Sequence, residues 1–81
     1  MNIKRVDEVV RELCSHYVNL LALPYYDSIY DYAADVVWEW EYENKLPYGS
    51  LPLKYSPAVR QRIISKLAME IERMTQEEAT K

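Results

Sequence analysis

The chain has 81 residues, with one glycine, no phenylalanine, a single cysteine, an apolar share of 49% and a formal charge of −3. That composition excludes an apolar-poor disordered chain, an internal disulfide, and a sheet-rich fold whose tight turns would need glycine. It leaves room for one domain over residues 1–81, small enough that self-association would add to its stability.

Val6, Val9, Val10, Leu13, Tyr17, Leu20 and Leu21 recur at three- and four-residue steps, with Asp7, Glu8, Arg11, Glu12, Ser15 and Asn19 on the other side. This spacing predicts an amphipathic helix over about residues 3–22. Pro24 is its expected stop, because the residue before a proline is pushed away from helical dihedrals. Cys14 and His16 lie two residues apart, about 200° around such a helix, so they do not form a local nucleophile and base pair.

A second helix is expected over about residues 27–43. Two starts compete: Asp27 as N-cap, or Ser28 as N-cap with Asp31 three residues on. On a wheel of about 100° per residue, Tyr26, Ile29, Ala33, Val36, Val37 and Trp40 gather on one side, which is the face expected to be buried.

Residues 44–56 contain Pro47, Gly49 and Pro52 and show no periodicity, so a structured loop is expected there, pinned by Leu46, Tyr48, Leu51 and Leu53. Ser56 followed by Pro57 reads as a helix start. Val59, Ile63, Ile64, Leu67, Ile71 and Met74 carry a third helix over about residues 57–75, and residues 76–81, without an apolar anchor, are expected to fray. The expected fold is all-α: a small three-helix bundle, with room for a short fourth turn, and a proline-containing loop before the last helix.

The chain has no Glu-x-x-His pair for a carboxylate-bridged metal site, no calcium loop and no glycine-rich phosphate cradle. No catalytic residue, metal ligand or cofactor is therefore assigned, and the chain is expected not to be an enzyme. No apolar run approaches the roughly 18 residues of a membrane span, and Asp7 and Glu8 stand where a signal peptide carries its apolar core. A cytoplasmic address is expected.

The charge is unevenly placed. Residues 1–23 balance, residues 24–44 carry six acids and no base, and residues 45–81 carry seven bases against four acids. Asp27, Asp31, Asp35, Glu39 and Glu43 recur every fourth residue, a pattern that weakens an isolated helix by a few tenths of a kcal/mol per like pair. Asp31, Asp35 and Glu39 share an outward sector with Trp38 and Tyr42.

One reading neutralises this stripe internally with Arg60, Arg62, Lys66 and Arg73 of the third helix, or leaves it simply solvated. The sharper reading makes Asp31, Asp35, Trp38, Glu39, Glu41 and Tyr42 a face for a basic protein surface, with aromatic anchors and a charged rim. Tyr25, Tyr26, Tyr30 and Tyr32 are candidates to widen it. Carboxylates about 6 Å apart have about half the density of phosphates, one per about 3.4 Å of a DNA strand, so the mimicry of nucleic acid is partial. An inhibitor of a nuclease or another basic machine fits this description.

Two alternatives stand beside it. Lys54, Arg60, Arg62 and Lys66 form an acid-free stretch that would meet phosphates directly, although a sequence pI near 5.1 and a long loop before the third helix disfavour a nucleic-acid binder. An acidic helix docking on the basic helix of a second copy would give a homo-oligomer.

Overall fold

The computed structural model describes residues 3–43 and 57–79 and is an all-α bundle. Three helices, α1 (Ile3–His16), α2 (Ile29–Glu43) and α3 (Pro57–Ala79), are accompanied by a 3-10 helix over Leu20–Tyr25. Among the described residues there is no strand, and no helix is long and apolar enough to cross a membrane. The expected 44–56 loop, Ser56 as a cap and Lys54 lie outside the described residues.

The core forms where the three apolar stripes meet. Val6, Val9, Val10 and Leu13 of α1, Ala33, Val36, Val37 and Trp40 of α2, and Ile63, Ile64, Leu67 and Ile71 of α3 are all buried. α3 packs along both α1 and α2, while α1 and α2 touch over a smaller area. The longest helix is therefore the spine, and the other two lie against it.

The first helix is shorter than its apolar spacing predicts. It ends at His16 rather than near residue 22, and Pro24 lies inside the following 3-10 helix instead of stopping α1. The backbone N–H groups of Tyr17 and Val18 both donate to the carbonyl of Leu13, at 2.9 and 3.0 Å. Asn19 is then extended, and its side chain accepts from the Leu21 N–H at 3.1 Å, competing with helix continuation in the way short amide side chains do.

The break is also held from outside. The Tyr32 hydroxyl of α2 accepts from the Asn19 N–H at 2.7 Å and donates to the Asn19 carbonyl at 3.1 Å. Both backbone groups of Asn19 thus find a partner 13 residues away. One consequence is that Leu21, expected in the core, is 83% exposed. Another is that Tyr32 is a core residue, 4% exposed, with its ring tilted against Tyr26 at 4.9 Å between centroids.

Of the two competing starts of α2, Ser28 is the cap: its Oγ accepts from the Asp31 N–H at 3.0 Å. Asp27 stays exposed before the helix. α3 runs on to Ala79, past the expected end near residue 75. Arg73 pairs with Glu70 at 2.7 Å and with Glu77, and the Thr75 hydroxyl donates to the Glu72 carbonyl at 2.7 Å. Side-chain pairs one turn apart support the last turns, where apolar anchors run out.

Replacing Tyr32 with Phe removes the hydroxyl while keeping the ring, and leaves the Asn19 backbone without that partner. Urea unfolding should show a loss of about 1–3 kcal/mol. An unchanged midpoint would mean that solvent satisfies the break equally well.

Candidate functional site

Burial divides the polar residues of α2 into two groups. Asp31, Asp35, Trp38, Glu39 and Tyr42 fall within an arc of about 100°, opposite the buried face, and all five are exposed. Glu41 does not belong with them. It is 8% exposed, and the Arg60 guanidinium donates to its carboxylate through Nε, at 3.1 Å to Oε1 and 3.0 Å to Oε2, and through Nη2 at 3.0 Å to Oε1.

The physical reason is angular. Glu41 stands about 40° from Val37 around the helix, at the edge of the core that faces α3, so packing α3 against α2 encloses it. Its charge is compensated there, and its side chain is enclosed rather than presented with the outward five. The same pair removes Arg60 from the set of cations expected to meet nucleic acid.

Two other cations of α3 are also engaged, but not with the outward stripe. Lys66 pairs with Asp7 of α1 at 3.0 Å, and Arg73 pairs within its own helix. Arg62 is exposed. Asp31, Asp35 and Glu39 make no ion pair among the described residues, so the expected neutralisation of the stripe by α3 is replaced by one buried pair at Glu41.

Trp38 and Tyr42 are 55% and 72% exposed, and their rings stack with centroids 5.4 Å apart and planes 18° from parallel. Two large aromatic side chains therefore cover one another while leaving much of their surface to solvent. A residue singled out by neither charge nor exposure joins them: the Tyr26 hydroxyl donates to Asp35 Oδ2 at 2.5 Å. Its length is that of a bond to an ionised acceptor. The hydrogen bond to the Asp35 carboxylate first, then desolvation, then the Asp35 charge, push the Tyr26 phenol up to about 12.

The remaining tyrosines separate by element. Tyr25, on the 3-10 helix, is 87% exposed, whereas Tyr30 is 41% exposed and its hydroxyl accepts from the Gln61 side chain of α3. Tyr32 is in the core, as described above. None of these identities was legible from tyrosine content alone, because each depends on which helix lies opposite.

Chemistry elsewhere is sparse. Among the described residues, no group of three or more His, Cys, Asp or Glu side chains is placed to hold a metal ion. Cys14 is half-buried, and burial, then the nearby Glu70 charge, push its thiol up, which disfavours the nucleophilic thiolate. His16 is exposed at the end of α1. An open groove of about 780 Å³ between α1 and α3 is bordered by Asp7 and Lys66, already paired with each other.

No protein-family model, curated protein or solved structure matches the chain.

Two outcomes test this geometry. A phenol raised in this way keeps its proton longer in the folded state, so the stabilisation from its bond is present below about pH 10 and is lost as pH rises through about 12. Ultraviolet titration should therefore show a late tyrosine component near 12 that returns to the ordinary range in Asp35→Asn. Glu41→Ala should cost about 1.5–3 kcal/mol in chemical unfolding, because it removes a charge-assisted pair from the interface of α2 and α3.

Proposed function

We propose that this chain is a non-catalytic interaction module: a small acidic inhibitor that uses the outward face of α2 to cover a positively charged surface of a partner protein. The partner class that fits is a nucleic-acid-binding protein such as a nuclease. The observation that carries this reading is the exposed Trp38–Tyr42 stack set among Asp31, Asp35 and Glu39, carboxylates that make no ion pair among the described residues.

Interfaces concentrate affinity in aromatic anchors and use surrounding charge to steer encounter and select the partner. Here the anchors and the charges occupy one helix face. The carboxylates, about 6 Å apart along the axis, follow part of the track that phosphates would take across a basic surface. Occupying that track excludes the nucleic acid without reproducing its full charge density.

Direct nucleic-acid binding through α3 has less support. Arg60 and Lys66 already have carboxylate partners, which leaves Arg62 alone among the described members of that set.

The test is a triple variant, Asp31→Asn, Asp35→Asn and Glu39→Gln, measured against the basic partner captured by the wild-type chain from its host. Association should slow by about tenfold at low salt, with helix content unchanged. Equal rates at low salt would remove the α2 face from recognition.

A further inference from the structure

The break between α1 and the 3-10 helix has no helix-breaking residue to cause it. No glycine or proline stands between Ile3 and Leu23, and the apolar spacing of α1 runs on through Tyr17, Leu20 and Leu21. In a continued helix Leu20 would stand about 20° from Leu13, and Leu21 about 20° from Val10, both of which are buried. The Val18 N–H bond to the Leu13 carbonyl closes the helix in a pattern that favours glycine one residue earlier, yet Tyr17 is there.

What holds the break comes from α2. The Tyr32 hydroxyl serves both backbone groups of Asn19, and the Asn19 side chain accepts from the Leu21 N–H. The segment gains little from packing: no residue of Leu20–Tyr25 is buried, and Leu21 is 83% exposed. An open space of about 440 Å³ is bordered by Asn19, Leu20 and Leu21 and by Thr75 and Glu78 of α3. α3 therefore reaches far enough to flank a longer α1, and there is room beside it.

We propose that residues 17–21 are a two-state joint. In the state described above, the Tyr32 hydroxyl clamps Asn19 in an extended conformation and Leu21 faces solvent. In the second state the segment continues α1, Asn19 finds its backbone partners within the helix, and Leu20 and Leu21 join the apolar stripe. Leu23, which precedes Pro24, stays outside α1 in both states. Beyond it, the Tyr26 bond to Asp35 keeps the return of the chain to α2 in place.

Two arrangements of one segment compete where local pattern and tertiary contacts disagree, and here one hydroxyl decides between them. The joint sets whether Leu21 is offered to solvent or withdrawn. A partner that grips Leu21 from outside would select the break. None of this depends on what α2 binds.

The experiment reads the NMR backbone shifts of residues 17–21 in the full chain, as wild type, Tyr32→Phe and Asn19→Ala. Wild-type Asn19 should give extended shifts. Tyr32→Phe keeps the ring and loses the clamp, so residues 17–21 should move to helical shifts and exchange of the Leu21 amide should slow. Asn19→Ala keeps the whole Tyr32 side chain, removes the bond to Leu21 and favours helix. It should move the same residues in the same direction, and it decides the question where Tyr32→Phe does not fold. A position 19 that stays extended, or turns random coil, in every variant whose α1, α2 and α3 remain helical overturns the joint.

Discussion

α2 owes its position, and which of its faces meets solvent, to its docking on α3. Taken alone, α2 is a poor helix: like charges recur every fourth residue, and its last turn carries no base to meet the dipole. What holds it is tertiary. Val36, Val37 and Trp40 are buried with Ile63, Ile64, Leu67 and Ile71 in one core, and the Glu41–Arg60 pair closes the edge of that contact. Once this face is fixed, the outward sector is fixed with it.

The same docking decides the electrostatics. A chain with ten bases and thirteen acids could neutralise its acidic helix internally. Instead, Arg60 is drawn to Glu41, the one carboxylate that the packing encloses among the described residues, Lys66 reaches α1, and Arg73 stays on its own helix. The outward carboxylates of α2 are thus left unpaired among the described residues, with an aromatic stack beside them.

Much of this was legible in the sequence, and the limits have physical causes. The apolar stripes of α2 and α3 and the exposed position of Asp31, Asp35, Trp38, Glu39 and Tyr42 follow from helical period alone. The break after His16 does not, because the Tyr32 hydroxyl that satisfies Asn19 comes from another helix. Glu41 sits at the rim of the buried arc, where only the rotation of α3 decides between solvent and enclosure. The extension of α3 to Ala79 depends on Arg73 bridging two acids, a local pattern weaker than the absence of apolar anchors beside it.

Among the described residues, the outward carboxylates of α2 serve no internal pairing. The unfolding free energy of Glu39→Lys tests it without any partner. A lysine there would face Asp35 and Glu43 one turn away on either side, and would meet the negative end of the helix dipole. Stability should rise by about 0.5–1 kcal/mol at low ionic strength. A loss of stability would mean instead that Glu39 already has a cationic partner within the fold.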